Sequence, residues 1–175
     1  YHARPDDNAQ VFTPNGGLRT GNLGYIDHAG YLHITGRIKE QYKLENGKYS
    51  VPSPLEEELK LSPYVANIML YGENKPYNVA VVVPDMGSLE RWAKQQGKPV
   101  GDAASNPAVK KLLQAELDKY SENFKSFERP RDLMVVLEDF TIENGILTPS
   151  LNIKRREVVK RYGAALEALY VKPRS

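Results

Sequence analysis

The sequence predicts an α+β domain in which a β-hairpin and a small three-stranded sheet are flanked by helices. Three observations lead there. From residue 36 onward strand-like and helix-like segments follow in the order ββ, α, ββ, α, α, β, α. An Asn46-Gly47 pair sits between two β-prone stretches. An apolar stripe at helical spacing runs through Val109, Leu112, Leu113, Leu117, Tyr120 and Phe124.

Residues 1 to 36 carry turn signals between short β-prone pieces and predict strands and hairpins, with His28-Ala29-Gly30 turning between Tyr25-Ile26 and Tyr31 to Ile34. They are too few to bury a core and are expected to belong to something larger. Tyr42-Lys43-Leu44 and Tyr49-Ser50-Val51 flank Glu45-Asn46-Gly47-Lys48, whose central residues tolerate positive φ, so a hairpin is expected. Ser53-Pro54-Leu55-Glu56 has the spacing of a capping box and opens a helix to about Leu61. Tyr64 to Tyr71 and Tyr77 to Val83 read as strands, and Asp85 as the cap of a helix ending near Gln96. Asn106 and Pro107 start the next helix, Leu133 to Leu137 is a strand, and a last helix runs from about Arg155 to Tyr170.

Composition narrows the function. The 175 residues carry 24 basic and 22 acidic side chains, which is not the basic excess of a nucleic-acid binder. With no cysteine there is no disulfide framework, thiolate zinc site or cysteine nucleophile, in keeping with a reducing, cytoplasmic setting. No apolar run is long enough to cross a bilayer, so membrane attachment is expected to be peripheral at most. His2, His28 and His33 lack partners at a metal-ligand spacing, so no metal site is expected. The chain starts at Tyr1 and not at methionine, from which a piece of a longer protein is expected.

Three segments could carry chemistry. Leu18-Arg19-Thr20-Gly21-Asn22-Leu23-Gly24 is small enough for close backbone approach, with Asn22 as donor and acceptor; a plain loop fits the pattern too. Gly36 to Lys43 gathers Arg37, Lys39 and Lys43 around Glu40 and suits phosphate or ribose oxygens, or is a solvated linker. Residues 150–175 hold seven basic and two acidic side chains, a local charge of +5 that suits a phosphate-rich ligand or simply keeps a helix soluble. Basic side chains at a helix start oppose its dipole.

Taken together, Leu18-Arg19-Thr20-Gly21-Asn22, Gly36 to Tyr49 and Leu147-Thr148-Pro149-Ser150-Leu151-Asn152-Ile153-Lys154-Arg155-Arg156 resemble the C-terminal motifs of adenylate-forming enzymes, specifically long-chain fatty acyl-CoA synthetases. The resemblance covers essentially the whole chain. It implies activation of a fatty acid with ATP and Mg2+ to an acyl-adenylate, then transfer of the acyl group to coenzyme A. It also implies that residues 1–36 end a large N-terminal adenylation domain, the chain's main partner, and that residues 37–175 form a mobile lid. Arg37 matches the arginine that contacts the ribose, Lys39 the hinge, and Glu45-Asn46-Gly47-Lys48 the hairpin that receives the pantetheine arm of CoA.

Two positions depart from the family. Asn22 stands where an aspartate is usual, and an amide has one acceptor oxygen where a carboxylate accepts from both ribose hydroxyls; the loss is worth about 1.5–3 kcal/mol. Asn152 stands where the adenylation lysine is expected, and Lys154, two residues on, is the candidate substitute. On this reading the chain alone is inactive, because the phosphate loop, the fatty-acid tunnel and the adenine pocket lie upstream in the family. The alternatives are a homologue impaired in adenylation and a free-standing, non-enzymatic module that binds CoA or another anion.

Overall fold

A computed structural model describes residues 5–171, so His2, Lys172 and Arg174 lie outside the described residues. The elements are α1 (Pro5–Val11), β1 (Asn22–Ile26), β2 (Leu32–Arg37), a 3-10 turn (Ile38–Glu40), β3 (Tyr42–Lys43), β4 (Tyr49–Ser50), α2 (Pro52–Leu59), β5 (Val65–Tyr71), β6 (Asn78–Pro84), α3 (Met86–Gln95), α4 (Pro107–Tyr120), β7 (Pro130–Val135) and α5 (Arg155–Val171). From β3 onward this is the order that the sequence pattern predicts.

The sheet β5-β6-β7 organises the molecule, with β5 antiparallel and β7 parallel to the central β6. Every residue of β6 is buried. Side chains alternate across a strand, so its two faces feed two cores. Ala80 and Val82 pack with Leu55, Leu59, Leu89, Leu113 and Leu117 from α2, α3 and α4. Val79, Val81 and Val83 pack with Val158, Leu166 and Leu169 from α5. Helices thus cover both faces, as the α+β reading expects.

Local signals act as read at several points. Asp85 accepts from the Ser88 amide at 2.7 Å to cap α3, and Asn106 accepts from the Ala108 amide at 2.9 Å to cap α4. Gly47 has a φ of 83°, the left-handed geometry that closes the β3–β4 hairpin.

Three expectations are corrected. Residues 5–11 form a helix where only strands and hairpins were expected; Pro5 starts it, and Asp6 and Asp7 in its first turn complement the dipole. The strand expected over Leu133 to Leu137 begins earlier, at Pro130, because the parallel pairing starts at Asn78 opposite Pro130. The Ser53–Glu56 capping box does not form. Helix α2 begins at Pro52, with Val51 at the N-cap and no side-chain cap. Ser53 Oγ donates to Glu40, and Glu56 turns inward to a guanidinium, a stronger partner than a backbone N–H.

Asn78, fully buried at the start of β6, is a hub. Its Oδ1 accepts from Tyr42 Oη at 2.7 Å, and its Nδ2 donates to Ser50 Oγ at 3.3 Å and to the Glu128 carbonyl at 2.8 Å. One amide therefore ties the β3–β4 hairpin and the 127–128 loop to the sheet. Asn78→Ala strands these partners in the interior and is expected to cost about 2–3 kcal/mol. Denaturant unfolding measures the loss, and faster hydrogen exchange at residues 42–50 locates it; an unchanged exchange pattern would contradict the hub role.

Helix α5 is anchored at its far end by Glu167, which accepts from Lys75 Nζ at 2.5 Å and from Tyr71 Oη at 2.7 Å. The Lys75 hydrogen bond, then that of Tyr71, holds the Glu167 carboxyl below its ordinary value, and burial with Glu167 alongside pushes the Tyr71 phenol up to about 12. A depressed carboxylate contributes stability that is complete above its unfolded pKa of about 4.3 and is lost as pH falls through the folded value. Melting temperature is therefore expected to fall on acidification below that point, and Glu167→Gln to flatten this part of the profile.

Candidate functional site

The segments that carry candidate residues meet at a cleft of about 340 Å³ between the β1–β2 hairpin, α2 and the turn before α5. Asn22 and Arg37 enter it together because β1 and β2 pair antiparallel with Asn22 directly opposite Arg37, and opposed residues share a face of a ribbon. Gly36 lets this ribbon approach α2, since a Cβ there would lie 2.2 Å from Val51 Cγ1. The ribbon runs straight into the turn that holds Lys39, where the Ile38 amide donates to the Gly21 carbonyl at 2.9 Å.

Asn152 comes from the opposite wall. An antiparallel bridge between Leu147 and Ile153 closes a tight turn, fastened by the Thr148 amide on the Asn152 carbonyl at 2.9 Å and the Asn152 amide on Thr148 Oγ1 at 3.0 Å. The Asn152 side chain donates to Ser150 Oγ at 2.9 Å. Leu151 takes a φ of 60°, a conformation that costs a branched residue roughly 1–2 kcal/mol, and its side chain faces the cleft at 68% exposure.

The structure brings Asn22, Arg37 and Asn152 together and leaves the others apart. Lys154 lines a neighbouring hollow of about 390 Å³ with Glu40 and Glu157. Lys39 is exposed on its turn. Glu45, Asn46, Gly47 and Lys48 form the exposed tip of the β3–β4 hairpin, outside the cleft. Lys48 lies over the Phe127 ring at 4.8 Å.

What sequence reasoning missed is the frame behind the cleft. Glu56, 4% exposed, receives both arms of Arg155, Nη1 on Oε1 at 2.9 Å and Nη2 on Oε2 at 2.5 Å. The Leu70 amide donates to the same carboxylate at 2.6 Å, and Arg155 Nη1 reaches the Leu70 carbonyl at 3.2 Å. Burial works against the guanidinium charge, but Glu56 more than offsets it, so the Arg155 pKa stands above its ordinary value. The only sequence signal was a glutamate spaced as a cap and an arginine inside a basic run.

The cleft is electrically balanced. Arg155 is matched by Glu56 and Lys60 by Glu57, and Glu40 accepts from Ser53. Arg37 is its one cation without an ion pair among the described residues. No group of three His, Cys, Asp or Glu among the described residues could hold a metal ion, and no helix there is long and apolar enough to cross a membrane.

The profile of the AMP-binding enzyme C-terminal domain matches residues 39–174. The chain belongs to that family. Its relatives include the long-chain-fatty-acid–CoA ligase FadD15 of Mycobacterium tuberculosis, 31% identical over 98% of this chain and 29% of that protein. Long-chain-fatty-acid–CoA ligase 5 of Mus musculus is 34% identical over 97% of the chain and 26% of its own length. Among solved structures, the adenylation domain of a carboxylate reductase from Mycobacterium chelonae superposes with a TM-score of 0.81 at 33% identity, covering 98% of this chain and 26% of that one. The corresponding domain from Segniliparus rugosus, in complex with AMP and a co-purified carboxylic acid, gives 0.81 at 34% identity over the same shares. This AMP-binding C-terminal domain chain thus spans between a quarter and a third of the relatives it matches.

Removing one partner of the buried pair tests its role as frame. Glu56→Gln or Arg155→Met leaves an uncompensated buried charge or donor and is expected to cost about 3–5 kcal/mol, whereas replacing both with apolar residues restores part of it. A double-mutant cycle from chemical denaturation measures the coupling; additive single effects would rule the frame out.

Proposed function

We propose that this chain is the C-terminal part of a long-chain fatty acid:CoA ligase, with residues 1–36 closing the large N-terminal adenylation domain and residues 37–175 forming its mobile lid. The observation that carries the reading is the meeting of Asn22 and Arg37, from the β1–β2 hairpin, with Asn152, from the remote turn before α5, in one cleft. The ligase names of the relatives support the substrate class, and the AMP and carboxylic acid in a structural neighbour support the ligand chemistry.

In the first half-reaction a fatty carboxylate oxygen attacks the α-phosphorus of ATP and pyrophosphate leaves. In the second, the CoA thiol sulfur attacks the acyl carbon and AMP leaves. Magnesium, where it accompanies ATP, shields the phosphate charge. Arg37 would donate to the ribose while Asn22 accepts from one of its hydroxyls. The turn at Lys39 would let the residues that follow it rotate as one body and exchange the Asn152 turn for the β3–β4 hairpin, where Gly47 leaves room for the pantetheine arm beside the backbone. Two orientations separate a step that needs positive charge at phosphate from one that must admit a thiol.

A second reading, impairment of the adenylation step, is favoured by the charge of the cleft. Position 152 is neutral, Lys154 points its contacts to another hollow, and only Arg37 is unmatched. A well-placed donor at developing oxyanion charge is worth about 10²–10³ in rate. The full-length protein is therefore expected to convert preformed palmitoyl-AMP and CoA to palmitoyl-CoA faster than it makes palmitoyl-AMP. Asn152→Lys should raise palmitate-dependent ATP–pyrophosphate exchange by about that factor, and no gain sinks the impaired reading. The 175-residue chain alone should release no pyrophosphate; release would overturn the division between domain and lid.

A further inference from the structure

The basic segment at the start of α5 separates, in the structure, into cations that hold the fold and cations that do not. Arg155 is taken up by Glu56 and Arg161 by Glu138. Arg156 and Lys160 have no ion pair among the described residues, although Arg156 stands in the first turn of α5, where a cation opposes the helix dipole. With Val159 they fall at i, i+3 and i+4, one face of the helix. That face forms a wall of a groove of about 620 Å³, within the usual range for small-molecule sites. Its lining is apolar at Tyr71 and Val159 and carries Arg156 and Lys160, with Glu73 as its one acid.

We propose that this groove is a binding site for an anionic amphiphile, a fatty carboxylate whose head lies on Arg156 and Lys160 and whose chain covers Tyr71 and Val159. Two cations left unpaired beside an apolar trough complement a ligand with one charged end and an aliphatic body. The guanidinium of Arg156 presents a fork that matches a carboxylate. The inference stands on the groove and not on the ligase reading.

The position of the groove gives occupancy a route to both functional elements. Its far wall is the turn 72–75, where the Asn74 amide donates to the Lys43 carbonyl and the Glu45 amide donates to the Lys75 carbonyl, both at 2.9 Å. The groove therefore leans on the β3–β4 hairpin. Arg155, which also lines it, anchors the helix that follows the Asn152 turn. A ligand here bears on the hairpin and on the start of α5 together.

The test is a titration of the isotope-labelled 175-residue chain followed by amide NMR, with decanoate, decanol and inorganic phosphate as separate probes. Decanoate is expected to saturate, shifting amides at 69–75 and 156–160 and, more weakly, at 43–45, while decanol and phosphate bind at least about tenfold more weakly. R156A/K160A should weaken decanoate about tenfold or more, since it removes the charge-assisted contacts, whereas the charge-matched control K94A/K98A should not. Arg156→Gln and Lys160→Gln, which keep the aliphatic stems, must each weaken binding and cover the case in which the double variant misfolds. Shifts outside these segments, phosphate binding as tightly as decanoate, or an unaffected double variant would each overturn the proposal.

Discussion

The Glu56–Arg155 pair is the contact on which the arrangement of the cleft depends. It joins residues 99 apart in sequence, and through Leu70 it takes in both backbone groups of one β5 residue. Two parallel charged hydrogen bonds fix the relative rotation of α2 and the start of α5 more tightly than apolar packing does, because the planar fork accepts few orientations. The α2 wall of the cleft and the turn that bears Asn152 are thereby set a fixed distance apart. Burying such a pair adds little net stability against an apolar pair of the same volume, and its value lies in geometry.

A neutral counterpart operates at the β3–β4 hairpin. Asn78 has no charge, yet it connects β3, β4 and the 127–128 loop to the central strand, and its burial makes each of those bonds costly to lose. The cleft and the hairpin thus have separate polar anchors in one sheet. Between them runs the groove beside α5, which touches both. A rigid sheet with two independently fastened edges suits the rotating body proposed above.

Much of this was legible in the residues. The Asn46-Gly47 hairpin, the caps at Asp85 and Asn106, and the strand at Tyr77 to Val83 depend on neighbours a few positions away, and local conformational energy decides them. Readings failed where a local signal met a stronger remote partner. Ser53 and Glu56 have the spacing of a capping box, but Glu40 claims the serine and Arg155 the glutamate. The basic run at 154–161 looked like one patch, and the fold divides it among a buried pair, a surface pair, a hollow and a groove.

By itself, then, the sequence determined the order and type of the elements from β3 onward, the turns that need positive φ, and the family motifs at Asn22, Arg37 and Asn152. Tertiary structure alone decided that these three share a cleft, that Lys154 does not, and which charges are matched. The physical reason is that helix, strand and turn preferences are set by side chains within a few residues. The strength of a polar contact depends on how far water is excluded from it, and only segments folded together from across the chain create that exclusion.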